Sequence, residues 1–218
     1  MSETTNWNEY LSKRTSVAYT DREFVRGFLK GDLLEVGCGF GDFTEWCAEA
    51  LGCRAIGIDP STEAIARAQN RFPAATFFVG VAEDLPFPDS SFDSIVTLEV
   101  VEHLLEPSRF FLEALRVLRP GGYLVVQTPN YPVKRIYDFL YWLMKRSSSP
   151  KDDPTHFHPF SMRGLERLSV SCGFVTIAVV GRNILGELKL PFLSKIKRGS
   201  FARFFSQKTI LVARKPLM

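Results

Sequence analysis

Several ordinary signatures are missing from this sequence, and each gap excludes something. The four cysteines, Cys38, Cys47, Cys53 and Cys172, contain no C-x-x-C pair. That leaves no sign of a zinc knuckle or a dithiol redox motif. They read as reduced thiols, the pattern of a cytoplasmic protein. No apolar run approaches the roughly 20 residues needed to cross a bilayer. The first residues, MSETTNWNEY, lack the charged-then-apolar layout of a secretory leader. Neither repeats nor low-complexity segments occur. Acidic residues are missing after Glu187, while Lys189, Lys195, Lys197, Arg198, Arg203, Lys208, Arg214 and Lys215 follow it. The whole chain carries +3, so these eight basic residues leave 3 − 8 = −5 for the remainder. Such an end can meet nucleic acid, an anionic membrane or an acidic substrate, or simply be a solvated face.

What is present is a globular pattern. Hydrophobic residues make up 45% and charged residues 23% of 218, which suits one α/β domain with a sizeable core and excludes disorder. Strand and helix signals alternate. Leu33–Val36 reads as a buried strand, followed by a helix from Asp42 to Leu51. Arg54–Ile58 is a second strand ending at Asp59-Pro60, and Ser61 fits the N-cap of the next helix. Thr76–Val79 and Phe92–Leu98 are further strands. Residues 107–118 have helical spacing, Pro120-Gly121-Gly122 ends that helix, and Tyr123–Gln127 is a fifth strand. Ser161–Cys172 reads as a helix stopped by Gly173, with late strands at 174–180 and 207–213. The expectation is a Rossmann-like, doubly wound α/β domain over residues 1–218. Its seven-stranded sheet would be mostly parallel with the last strand antiparallel. An aromatic, proline-rich insertion at 131–160 would form a small cap.

The first strand breaks at Glu35-Val36-Gly37-Cys38-Gly39-Phe40-Gly41 and opens a helix, as nucleotide-binding loops do. The third glycine of the dinucleotide fingerprint is absent, since position 42 is Asp. A carboxylate at that helix N-terminus disfavours a pyrophosphate, but not a cofactor without phosphate. Glu35, at the carboxyl end of its strand, can attract an α-amino group. Asp59 lies 20 residues beyond Gly39 and ends the second strand, where an acid accepts hydrogen bonds from ribose hydroxyls.

These stretches resemble the class I S-adenosylmethionine-dependent methyltransferases, in the broad group typified by ubiquinone-pathway enzymes. The matching segments are LLEVGCGFGDFT (33–44), AIGIDPSTEAIARAQ (55–69), AEDLPFPDSSFDSIVTLEVVEHL (82–104), EALRVLRPGGYLVVQTPN (113–130) and HFHPFS (156–161). The resemblance implies S-adenosylmethionine as cofactor and S-adenosylhomocysteine as product. Glu35, Gly37 and Gly39 would cradle the methionine part, with Cys38 and Gly41 completing the loop. Asp59 would bind ribose and Pro60 would lie beside the adenine. The segment Val81–Leu85 would hold the adenine edge through the Ala82 backbone. Relatives often have Asp where this chain has Val81, so Glu83 is the candidate acceptor for the adenine amino group. Leu98 and Glu99, ending the fourth strand, would face the cofactor.

The methyl group should point at Leu98-Glu99-Val100-Val101-Glu102-His103. An oxygen acceptor must lose a proton, and His is the side chain best matched to that task near neutral pH. His103 is therefore the candidate general base and Glu102 its orienting partner. Asn130, His158, Tyr137 and Tyr141 are candidate substrate contacts, and Phe139 and Trp142 add aromatic character to the cap. The E-x-x-E-H pattern resembles that of O-methyltransferases of quinones and small RNAs, some of which use a metal. Glu99, Glu102, His103 and His156 are the alternative ligand set for a divalent ion, although no metal is the preferred reading. The expected reaction is methylation of a small-molecule hydroxyl. Rival readings are an RNA 2′-O-methyltransferase, which the pI of about 8.7 does little to support, and a non-catalytic cofactor-binding domain. The basic end and the cap also allow peripheral contact with a membrane. The sequence names neither acceptor nor oligomeric state.

Overall fold

A computed structural model of the protein describes residues 22–131, 133–136, 139, 155–182, 206 and 208–217. Tyr137, Tyr141 and Trp142, together with most of the expected cap, lie outside the described residues.

The strands are β1 (Asp32–Val36), β2 (Arg54–Asp59), β3 (Thr76–Val79), β4 (Phe92–Leu98), β5 (Leu118–Pro129), β6 (Val175–Arg182) and β7 (Lys208–Arg214). They form one seven-stranded sheet in the order β3-β2-β1-β4-β5-β7-β6. The first five are parallel, whereas β7 runs antiparallel to both β5 and β6. The helices are α1 (Arg22–Val25), α2 (Asp42–Leu51), α3 (Thr62–Arg71), α4 (Pro107–Val117) and α5 (Met162–Ser171), with a 3₁₀ turn at Val101–His103. The expected α/β architecture is therefore present.

Side chains alternate across the pleat, and each central strand feeds two cores. Leu34, Ile58, Ile95, Leu124 and Leu211 face one layer, where α4 and α5 supply Phe110, Phe111, Ala114 and Leu165. Leu33, Ala55, Val96, Val125 and Val212 face the other, against Val25, Phe43 and Cys47 of α1 and α2. A smaller cluster seats Ile65 and Ala68 of α3 on Phe77 and Cys38. This two-sided burial explains why the strands read as apolar runs rather than alternating ones.

Helix starts follow local chemistry. Ser61 Oγ accepts from Ala64 N at 3.1 Å, and Ser161 Oγ accepts from Gly164 N at 3.1 Å. One boundary departs from expectation. Helix α4 ends at Val117, and β5 begins at Leu118 rather than after the Pro-Gly-Gly run. The reason is pairing: Leu118 is buried and lies opposite Phe92, with an irregularity before Ser94 meets Tyr123. Gly122 is required there, because a Cβ would come within 2.9 Å of Arg119 O and 3.0 Å of Asp93 O. Gly121 N donates to Lys215 O, and Lys215 N returns a bond to Gly122 O, both at 3.0 Å.

Candidate cofactor and methyl-transfer site

The carboxyl ends of β1, β2 and β4 converge with the loops that follow them. After β1, Gly37, Gly39 and Gly41 all have positive φ, at 77°, 53° and 84°. Gly37 N and Cys38 N both donate to Ile58 O, at 2.8 and 3.1 Å, folding the loop back over β2. At Gly37 a Cβ would sit 2.2 Å from Val100 Cγ2. Only glycine lets the β1 loop and the segment after β4 approach this closely. Cys38 is buried, and burial pushes its thiol well above the ordinary range; it contributes shape rather than a reactive thiolate.

Glu35 is buried near the end of β1 and accepts from Thr44 Oγ1 at 2.5 Å. Burial pushes its carboxyl up to about 8; the Thr44 bond opposes this, and the nearby Asp59 and Asp42 add to it. A buried acid held neutral in this way favours ionisation once a cation arrives. Asp59 is also buried, and burial raises its carboxyl despite two opposing backbone bonds. Its Oδ2 accepts from Gly39 N and its Oδ1 from Ser61 N, each at 2.9 Å. Asp59 thus ties the glycine loop to the start of α3. Pro60 beside it is exposed. Gly80 N donates to Asp59 O at 3.2 Å, and Val81 pairs with Asp84 across a tight turn. Ala82 in that turn is buried, Glu83 is partly exposed and Val81 is exposed.

On the methyl side Leu98 is buried, and Glu99 takes a left-handed conformation with φ 59°. Its N–H donates to Gln127 O at 2.8 Å and its Oε1 accepts from Gln127 Nε2 at 3.1 Å. Its Oε2 lies 3.4 Å from Lys208 Nζ. Glu99 therefore braces β4 against β5 and β7. Glu102 is fully buried, and its Oε2 accepts from Thr128 Oγ1 at 2.9 Å.

His103 Nδ1 lies 3.0 Å from Thr155 O and 3.0 Å from Thr155 Oγ1. A carbonyl only accepts, so this contact favours the tautomer protonated on Nδ1, in which the neutral ring keeps its lone pair on Nε2. The His156 ring stands 4.5 Å from that of His103. On its other side, the Tyr131 hydroxyl is hydrogen-bonded to His156 Nδ1. His158 anchors the same segment: its N–H donates to Glu102 O at 3.1 Å, and its Nε2 lies 3.2 Å from Leu105 O.

The structure thus sorts the sequence candidates. Glu35, the glycines, Asp59 and the Ala82 turn line one continuous edge, with His103 and Glu102 beyond Val100. Of the four alternative metal ligands, Glu102, His103 and His156 present donor atoms within 4.8 Å of one another, and Glu99 stands outside that group. Asn130 is buried, with Nδ2 donating to Ser206 O at 2.9 Å, and its backbone carbonyl accepts from Lys134 N at 2.9 Å. Thr44, Thr128, Tyr131 and Thr155 are not among the sequence candidates; Thr44 reaches Glu35 within the glycine-loop motif, whereas the other three act through bonds to residues 25 or more positions away, which no local pattern signals.

Comparison with known proteins bears on the family and the fold. Residues 34–126 match a methyltransferase domain family. A protein of Mycobacterium tuberculosis named a probable S-adenosylmethionine-dependent methyltransferase is 34% identical over 69% of this chain and 51% of its own length. Tocopherol O-methyltransferase of Arabidopsis thaliana is 34% identical over 50% of this chain and 32% of its own. The chain thus spans about a third to a half of these curated relatives. Among solved structures, a SAM-dependent methyltransferase of Methanosarcina mazei has the same fold, with a TM-score of 0.65 and 24% identity, covering 93% of this chain and 100% of that one. Residues 34–126 are thus a methyltransferase domain of the kind found in S-adenosylmethionine-dependent methyltransferases, carried on the Rossmann-like seven-stranded fold of such enzymes.

Proposed function

We propose that this chain moves the methyl group of S-adenosylmethionine to a hydroxyl oxygen of a small-molecule acceptor, with His103 as the general base. The observation that carries the reading is the contact of Thr155 O with His103 Nδ1, which leaves Nε2 as the proton-accepting nitrogen. The acceptor oxygen forms a bond to the methyl carbon as the carbon–sulfur bond breaks. The electron pair stays on sulfur, giving S-adenosylhomocysteine, and the hydroxyl proton goes to Nε2. Positioning supplies most of the acceleration in such an in-line transfer, and the base contributes about 10²–10⁴-fold. Tocopherol, named for one relative, carries a phenolic hydroxyl, so phenols and hydroquinones are the first acceptors to try. A screen with methyl-labelled cofactor tests the reading. Transfer to a hydroxyl should drop at least 100-fold in His103→Ala; an acceptor methylated equally fast by that variant would remove His103 as base.

A second reading rests on the clustering of Glu102, His103 and His156. One carboxylate and two imidazoles suit a divalent ion, which would supply Lewis-acid activation of the acceptor hydroxyl. Metal analysis and activity before and after chelation decide it: turnover unaffected by chelator dismisses the ion.

A further inference from the structure

Residues 80–91 join β3 to β4 without a helix. Such a loop needs partners for its backbone groups, and Pro86 and Pro88 cannot donate. Two side chains of α4 supply them. Leu85 N donates to Glu113 Oε2 at 2.9 Å. Arg116 donates to Leu85 O at 2.9 Å, to Phe87 O at 2.8 Å and to Asp89 Oδ1 at 2.9 Å. The two are themselves paired in a fork, at 2.8 and 2.7 Å. Ser90 N and Ser91 N close the loop onto the carbonyls of Arg116 and Val117, at 3.0 and 2.7 Å.

We propose that Glu113 and Arg116 are positioning residues for the adenosine part of the cofactor. They clamp Leu85 immediately beyond the Val81–Asp84 turn, while Gly80 N on Asp59 O holds the turn from the other side. The turn is thereby ordered before any ligand arrives, so binding does not have to order it. The inference rests on the reading that the Ala82 backbone meets the adenine. Docking of α4 does not require the clamp. Phe110, Phe111, Ala114 and Val117 are fully buried and seat the helix on the sheet.

The test is titration calorimetry with S-adenosylhomocysteine and with 5′-methylthioadenosine, which lacks the amino-acid end, together with amide deuterium exchange. Arg116→Ala and Glu113→Ala should raise the Kd of both ligands about tenfold. Exchange should quicken at residues 82–87 and stay unchanged in β1 and β4. Glu113→Gln keeps an acceptor for Leu85 N and should stay within about threefold of wild type. Arg116→Lys, a milder change if an alanine variant fails to fold, should lose about threefold for both ligands. A folded Arg116→Ala or Arg116→Lys with wild-type Kd overturns the clamp, as does a Glu113→Gln variant as weak as Glu113→Ala. A wild type with no affinity for either ligand refutes the cofactor reading itself.

Discussion

The two ends of the central sheet treat charge in opposite ways. At the amino-terminal ends of the strands, carboxylates meet arginines. Asp32 pairs with Arg54 at 2.6 Å and with Arg119 at 2.9 Å, and Asp93 pairs with Arg119 at 2.7 Å. Burial would raise the Asp93 carboxyl, but the Asp32 N–H and Arg119 outweigh it and hold it below its ordinary range. At the carboxyl-terminal ends, Glu35 and Asp59 are buried with raised carboxyls, and Glu102, in the turn after β4, is fully buried. One end is neutralised by its own chain. At the other, Lys208 meets Glu99, but Glu35 and Asp59 stay buried with raised carboxyls, a state that a cationic, hydroxyl-rich ligand relieves.

Breaking the cleft end should cost binding. Asp59→Ala should have the largest effect, weakening S-adenosylhomocysteine about 100-fold by calorimetry, as expected when two hydrogen bonds to a carboxylate are lost. Full affinity in a folded variant would remove Asp59 from the ribose site.

Glu35→Gln should follow, at about tenfold, and it carries a pH signature. The wild-type carboxyl titrates near 8 when folded and near 4.5 in the ordinary state. The ligand-free fold therefore holds a proton that the unfolded chain releases, and stability falls as pH rises from about 4.5 towards 8. The cofactor's ammonium favours the carboxylate, so binding releases a proton, and affinity rises from pH 6 to 7.5. Glu35→Gln should flatten both trends. Calorimetry in buffers of different ionisation enthalpy counts the proton, and zero release at pH 6.5 would contradict the assignment.

Breaking the other end should cost stability alone. Arg119→Ala should lower the unfolding free energy by about 1 kcal/mol in urea, discounted for its exposure, with Kd within twofold of wild type. Arg54, more exposed still, should give the smallest change, under about 0.5 kcal/mol for Arg54→Ala. A large Kd change from either would erase the contrast between the two ends.

Much of the cleft end was legible because its signals are local. The glycine loop, Asp59 at the end of β2 and the Ser61 cap are each set by a few neighbouring residues. The methyl side was harder to read. His156 and His158 stand two residues apart in one short motif, and only the return of residues 155–160 onto the 3₁₀ turn decides between them. That return places His156 against His103 and turns His158 to Leu105 O. The left-handed backbone of Glu99, whose carboxylate meets Gln127 and Lys208, has no hint in strand alternation. The start of β5 was masked by Pro-Gly-Gly, a helix-stop signal that here lies within a strand. The substrate contacts expected at Tyr137 and Tyr141 fall outside the described residues.

The strand order also bears on how the chain comes together. β6 is hydrogen-bonded in the sheet through β7, and β7 also closes the edge of β5. On a ribosome, β5 and β6 are synthesised before the strand that joins them. Until residues 208–214 emerge, β5 has an open edge and β6 has no sheet partner. Unpaired edges of this kind invite pairing with other chains. The strand that joins this half of the sheet is thus made after both of its neighbours, and assembly here waits on residues 208–214.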